Sequence, residues 1–482
     1  MSDSWVNSPE AATGGADFHL VLRGPGGVRA QLMRALREAI GSGRLAPGTR
    51  LPPYRTLAAD LGIARNTVGD AYAELVEEGW LTARQGSGTR VAPRAEPLGK
   101  GRSRAPVRQT RRRPALDLMP SSPDASAFPR TAWTASARRA MGVAPHDAFG
   151  VGDPQGRIEL RRALAEYLAR ARGVRTAPDR LVICSGFAHG LRLLSSLLRG
   201  AVAVEAYGLA FHRDVVTGAD LRTLPLTVDG RGARIEELPA TRAGAVLLTP
   251  AHQFPTGGPL HHERRAAVVN WARSTGGLVV EDDYDGEFRY DREPVGAVQG
   301  LDPERVVYIG SVSKSLSPAM RLGWMALPGW LVDDVLAAKG ERELWSGVVE
   351  QLTLADFLAC GSYDRHLRRM RRVYRRRRDQ LAATLARRAP HIRVSGVAAG
   401  LHAVLELPPG TERTALRAAR RQGLALDGLA NYRHPDSTMP VHDGLVIGFG
   451  TPPEHAFANA LEALCLALPD APAGSPDAGP YA

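Results

Sequence analysis

The stretch Val306-Val-Tyr-Ile-Gly-Ser-Val-Ser-Lys-Ser-Leu-Ser-Pro-Ala-Met-Arg-Leu322 decides the fold. Four β-favouring apolar residues run into a glycine and a cluster of hydroxyls. A lysine follows at 314 and an arginine at 321. A short, unbroken apolar run closed by a turn is the pattern of a strand buried on both faces. Similar runs occur at 181–184, 201–204, 245–248, 278–280 and 322–327, with helical patterns between them. This rhythm predicts an α/β fold, a large and mostly parallel sheet wrapped by helices. From about Tyr363 an Arg-rich helix leads into a smaller α/β unit that reaches about Leu468. The Arg365–Arg378 run reads as a solvated or interface helix face in preference to a nucleic-acid site.

In such sheets, sites form at the carboxyl ends of the strands. The run at 181–184 ends in Ser185-Gly186-Phe187-Ala188 and opens a helix, whose first N–H groups can cradle an anion. The run at 278–280 ends in Glu281-Asp282-Asp283-Tyr284, and the run at 306–309 ends in Ser311, Ser313 and Lys314, with Arg321 beyond. A phosphate needs helix N–H groups, hydroxyls and a guanidinium. A protonated pyridine nitrogen needs a carboxylate, and an aldehyde needs an amine. That set of needs describes pyridoxal 5′-phosphate (PLP). Of the 62 basic residues only Lys100, Lys314 and Lys339 are lysines, which singles out Lys314.

This order of motifs resembles the fold-type-I aminotransferases. Phe149–Gly156, Leu160–Leu168 and the stretch Thr249-Pro-Ala-His-Gln-Phe-Pro-Thr-Gly257 strengthen the likeness, which covers about 350 residues. By that resemblance Lys314 carries the internal aldimine, Asp282 pairs with the pyridine N–H, and Tyr284 reaches the phenolic oxygen. Ser311, Ser313, Arg321 and the amides of Gly186, Phe187 and Ala188 hold the phosphate. The sequence departs from the family at several points. Val151 stands where Tyr is usual and Phe187 where Ser or Thr is usual. Tyr207-Gly208-Leu209 replaces Pro-x-Tyr, which leaves ring stacking to Phe211 or His212. Phe254 replaces the aminotransferase Asn, which leaves His252 or Gln253 for the cofactor's oxygen. No Arg or Lys follows Arg433, so the carboxylate-clamping Arg of aminotransferases is missing unless Arg433 substitutes.

Upstream, residues 18–92 predict a small helical domain ending in a hairpin. Leu32, Leu36 and Ile40 recur at helical spacing. A second helix, Arg55–Leu61, is separated by Gly62 from a third running from Arg65 to about Glu78. Trp80–Thr82 and Thr89–Val91 flank a Gly-rich tip. This is helix-turn-helix geometry, in which the second helix of the motif presents its first residues to a major groove. Arg65 and Asn66 suit guanine and adenine edges, and Thr67 a phosphate or a thymine methyl. Residues 45–81 and 85–89 closely resemble the winged-helix domain of GntR-type regulators. By that likeness Arg55, Arg65, Asn66, Thr67 and the wing Gly88 contact operator DNA; the wing itself places backbone N–H groups, with Ser87 at its tip, and Arg84 or Arg90 near a phosphate. Tyr54, where Ser is common, is a mild departure. A winged head on an aminotransferase-like body resembles the MocR/GabR family of transcription regulators. That resemblance implies PLP as cofactor, double-stranded operator DNA as partner, and PLP itself or an amine as effector. It also implies a head-to-tail homodimer in which each head crosses to its partner's body.

Between Pro93 and Pro114 eight basic residues stand against Glu96 alone, which predicts a flexible basic linker. The body is expected over 115–468 and a disordered Pro/Ala/Gly-rich tail over 469–482. The 482 residues, 44% hydrophobic, suffice for about three compact units. No apolar stretch is long enough to span a membrane, and Met1–Gly15 lacks a secretory pattern. Three cysteines far apart exclude a disulfide scaffold or a CxxC zinc site and fit the cytoplasm. The expectation is a sensor-regulator without catalytic residues, in which a residual transaminase half-reaction remains open. The alternatives are an aminotransferase carrying a DNA-binding head and a regulator that has lost PLP.

Overall fold

The computed structural model describes residues 20–84, 88–93, 114, 116–120, 122–290, 295–340, 346–396 and 399–471. Ser87 at the wing tip, residues 94–113 of the expected linker and residues 472–482 of the expected tail lie outside these. The chain divides into two compact units, Met1–Arg112 and Arg113–Ala482.

The first unit contains α1 (Val28–Gly41), α2 (Tyr54–Leu61), α3 (Arg65–Glu77) and the antiparallel pair β1 (Leu81–Arg84) and β2 (Gly88–Val91). The apolar stripe expected on α1 is its buried face. Leu32, Leu36 and Ile40 pack with Leu57, Val68 and Leu75 in one core. Gly62 ends α2 in the left-handed region at φ 65°. A side chain there would cost conformational energy, and glycine lets the chain turn into α3 within three residues. The Tyr72 hydroxyl of α3 donates to the Pro52 carbonyl (3.1 Å). Arg37 Nε of α1 donates to Glu78, one residue past α3 (2.9 Å). These bonds fix α3 against the other two helices.

The second unit is built on a seven-stranded sheet. Its strands are β3 (Leu181–Cys184), β4 (Ala201–Glu205), β5 (Arg222–Leu226), β6 (Ala245–Leu248), β7 (Leu278–Asp283), β8 (Val306–Ser311) and β9 (Gly323–Ala326). They lie in the order β3-β9-β8-β7-β6-β4-β5. Only β9 runs antiparallel to its neighbours. Every residue of β3, β4, β6, β7, β8 and β9 is buried, which is why their sequences read as unbroken apolar runs. The edge strand β5 is half-exposed and contains Pro225. Its polar, proline-bearing sequence gave no strand signal, as expected of a sheet edge.

A 27-residue helix, Ser362–Arg388, leads to a smaller antiparallel sheet of 393–395, 402–406, 444–448 and 427–428, in that order. The helix buries Tyr363, Leu367, Met370, Tyr374, Leu381 and Leu385. Arg377 is also buried and pairs with Asp124 (3.2 Å) and Glu454 (3.1 Å). One arginine of the run is therefore a structural group rather than a surface charge. Among the described residues no helix is long and apolar enough to cross a membrane.

The head has a core of its own, so damage to it should stay local. Leu36→Ala is expected to destabilise the head by about 2–5 kcal/mol. Amide hydrogen exchange should accelerate in peptides from 28–77 and stay unchanged in β8.

Candidate functional site

Parallel strands buried on both faces leave only their ends for chemistry. A cavity of about 560 Å³ opens at the carboxyl ends of β3, β4, β6, β7 and β8, within the size range of small-ligand sites. Most of the residues expected to hold a cofactor line it: Gly186, Phe187, Ala188, Asp282, Tyr284, Ser311, Ser313, Lys314 and Arg321.

One end of the cavity is rich in donors. The helix Phe187–Leu197 opens at Gly186 without a side-chain cap, so its first N–H groups have no intrahelical partner. Gly186 sits at φ 105°, and a Cβ there would lie 3.8 Å from Arg321 Nη1. The guanidinium thus stands beside the helix start. Ser311 and Ser313 share a hydrogen bond between their hydroxyls (2.7 Å). Helix N–H groups, two hydroxyls and a guanidinium together make a receptor for a phosphate-like anion.

Lys314 and Asp282 line the same cavity. Burial pulls the Lys314 amine below its usual range, opposed by the charges of Asp285 and Asp282. Burial thus favours the neutral amine, the form that attacks a carbonyl. Burial, reinforced by Asp283 and Asp285, pushes the Asp282 carboxyl well up. His212 Nδ1 stands 3.9 Å from it, and burial drives that imidazole down to about 3. A neutral ring cannot compensate the carboxylate, whereas a protonated pyridine nitrogen would. The donor set, the amine and the buried carboxyl fit PLP. His212 tilts against Phe187 with ring centroids 4.5 Å apart, while Phe211 is 51% exposed. Of the two aromatics left open by the sequence, His212 is the enclosed one.

His252 and Gln253 stand elsewhere. Neither is among the lining residues. The His252 Nδ1 is held by Asp285 (2.9 Å) and the Tyr284 hydroxyl (3.0 Å). The Gln253 amide donates to the Tyr207 and Phe254 carbonyls and accepts from Thr256. His252 Nδ1 is thus engaged by the segment that follows β7, and the Gln253 amide by its own loop and by Tyr207. Arg433 is likewise committed, to the Ser437 and Met439 carbonyls.

Sequence reading missed four lining groups. Arg213 brings a guanidinium to the wall, hydrogen-bonded to the Gly208 carbonyl (3.0 Å). The lack of basic residues after Arg433 therefore does not leave the cavity without a further cation. Glu205, at the end of β4, accepts from Thr249 and is pushed up to about 7 by burial. Asp427 and Asn431 reach the cavity from the small lobe. Only Glu205 carried a signal, as the acidic end of an apolar run.

In the head, α3 buries Val68, Ala71, Tyr72 and Leu75 and exposes Arg65 and Asn66 at its first turn. Thr67 is half-buried beside them. Arg55 is exposed on α2, its guanidinium 5.9 Å from the Tyr54 ring. Arg84 and Gly88 are exposed at the wing. A Cβ on Gly88 would lie 3.2 Å from Arg50 Nε, so Arg50, which the sequence reading passed over, lies against the wing.

Known proteins share both halves of this arrangement. Residues 29–91 match the model of the bacterial regulatory proteins of the gntR family, and residues 121–431 match that of class I and II aminotransferases. The chain is 32% identical to the probable rhizopine catabolism regulatory protein MocR of Rhizobium meliloti, covering 91% of this chain and 94% of that one. It is 31% identical to the pyridoxine biosynthesis transcriptional regulator PdxR of Corynebacterium glutamicum, covering 89% and 93%. Pyrococcus horikoshii kynurenine aminotransferase shares the body's fold, with a TM-score of 0.66 at 23% identity over 73% of this chain and 90% of that one. The chain belongs to the family of helix-turn-helix transcriptional regulators, MocR and PdxR among them, that join a gntR-type head to an aminotransferase-like body.

Proposed function

We propose that this regulator binds PLP in the body cavity and operator DNA through its head, and that PLP or an amine reacting with it is the effector. The observation that carries the reading is the meeting, in one cavity, of Lys314, a buried carboxyl and a wall of anion-binding donors. Bound there, PLP would supply an aldehyde reactive toward amines. Lys314 offers the protein's own amine, its pKa drawn down by burial. Asp282 holds a negative charge against the ring nitrogen. Arg321, Ser311, Ser313 and the helix start at Gly186 hold the phosphate. His212 and Phe187 cover the ring. The body then acts as a sensor rather than as a transaminase.

Lys314→Ala should lose the visible absorbance of bound PLP and its borohydride-fixable adduct, while the protein stays folded and still binds DNA. An adduct retained in that variant would move the attachment to another amine.

For the head, Arg65→Ala should cost about 1–3 kcal/mol at the specific site and relax its sequence preference, if the side chain reads a base. Titration against operator and scrambled duplexes checks this, and equal losses on both would make Arg65 a phosphate contact only.

The working unit is proposed to be a homodimer with heads exchanged. Met141, Val143, Phe149, Val151 and Val349 are exposed around a small apolar cluster of Ala140, Ala148 and Leu352. A monomer rarely leaves such a patch to water. Sedimentation should show a dimer at micromolar concentration, and Phe149→Asp with Val349→Asp should shift it toward monomer.

A further inference from the structure

The helix Ser362–Arg388 carries eleven arginines and two aspartates, a net +9 in a chain of net +12. The stretch from Pro93 to Pro114, with eight basic residues against one acidic, adds +7. The rest of the chain is therefore net negative, so the basic character is placed rather than spread.

Within the helix the arginines have different occupations. Arg377 is buried in ion pairs with Asp124 and Glu454. Arg371 donates to the Glu287 carbonyl (2.5 Å) and Arg369 to the Ala127 carbonyl (2.8 Å). Arg376 pairs with Glu454. Up to Arg377 that leaves Arg365, Arg368, Arg372 and Arg375, all exposed. Among the described residues none of the four pairs with a carboxylate, and the one hydrogen bond seen is from Arg365 to the Ser362 hydroxyl (2.8 Å). Their spacing of three, four and three residues puts them on one helix face, spread over about 15 Å. Asp379, one turn on, bounds the stripe.

Such a row of like charges opposes itself. The helix is already anchored by its apolar face, so the row is not needed to hold it, and its charge complements an anionic partner. Duplex DNA offers a phosphate charge for about every 1.7 Å of its axis and binds by releasing counterions. The head belongs to a DNA-binding class, so duplex is delivered to this molecule. A chain of about 20 residues between head and body spans at most roughly 70 Å. We infer that the body itself binds DNA: the Arg365–Arg368–Arg372–Arg375 face holds duplex phosphates without reading sequence, next to the site read by the head. This rests on the DNA-binding reading of the head and departs from the sequence reading of the run as a solvated face.

Full-length protein is titrated by fluorescence anisotropy, over a range of salt, against mixed-sequence duplexes of about 20 and about 60 base pairs, roughly 70 and 200 Å long. The longer duplex should show the steeper dependence of log affinity on log salt. Replacing all four arginines by Gln should lower the slope on the long duplex by about 2–4, at about 0.9 for each phosphate no longer neutralised. The melting temperature should not move. Replacing the four by Lys should restore the slope. The wild type needs no variant: hydroxyl-radical cleavage should show protection extending beyond the head's sites. An unchanged slope in the Gln variant, or protection confined to the head's sites, overturns the inference and leaves the head's assignment standing, since that is read separately by Arg65→Ala. A wild type with no affinity for either duplex overturns both. A stripe that instead serves an acidic protein partner would show itself as an unchanged slope.

Discussion

The body depends on one constraint: a sheet buried on both faces can offer chemistry only at its ends. The strands β3, β4, β6, β7 and β8 have no charged side chain until their last residues. There, loops and helix starts converge, because parallel strands all finish on the same edge. Glycine makes the convergence tight. A Cβ on Gly323 would fall 2.7 Å from the Gly186 backbone, and one on Gly310 would fall 2.6 Å from the Trp324 ring. The strand that carries Lys314, the antiparallel β9 and the helix start at Gly186 therefore approach within backbone distance, and Arg321 is held at the donor end.

The acidic segment 281–285 shows how a run of like charges is made tolerable inside that frame. Glu281 accepts from the Val298 and Gln299 amides (2.9 Å each). Asp283 accepts from Arg172 Nε (2.6 Å) and the Tyr308 hydroxyl (2.7 Å). These two point to the same side, two residues apart on a strand. Asp282 points to the other and lines the cavity. Asp285 meets His252 (2.9 Å). Each carboxyl thus has separate surroundings. Asp282 has a neutral imidazole neighbour in His212, and the Lys314 amine opposes its upward shift only in part. A buried carboxyl is costly to keep charged, and a ligand that brings a further cation recovers part of that cost on binding.

Much of this was readable in advance. The unbroken apolar runs marked the buried strands, and the polar residues closing each run marked the cavity, since strand order and edge follow from general rules. The head was legible because its stripe of Leu32, Leu36 and Ile40 and its turn at Gly62 are local features. What stayed hidden is what local pattern does not encode. Arg213 points to the cavity because its helix starts at the end of β4, a fact of tertiary placement. Asp427 and Asn431 arrive from the small lobe, about 145 residues beyond Asp282 in sequence. Composition likewise cannot show that His252 turns to Asp285 and Tyr284, or that Gln253 turns to Tyr207, Phe254 and Thr256. The arginine run gave its sign but not its allocation. Only the fold separates buried Arg377 from the exposed row.

Coupling between cavity and head is limited by energetics as much as by structure. A ligand at about a hundred times its Kd can contribute roughly 2.7 kcal/mol to a state that binds it, against one that does not. That bounds the change in DNA affinity at about a hundredfold, reached only if the ligand distinguishes two arrangements of the protein completely. A ligand held equally in both would switch nothing however tightly it bound. The groups able to distinguish them are those reaching the cavity from different elements: Arg213 from the helix after β4, Asp427 and Asn431 from the small lobe, and Lys314 from the segment that follows β8. The donor end is carried largely by the sheet and its glycine contacts, so it can hold a phosphate alike in either arrangement. A ligand that did discriminate would have to do so through groups such as Asp427 and Asn431, which the small lobe brings to the cavity and sequence alone did not reveal.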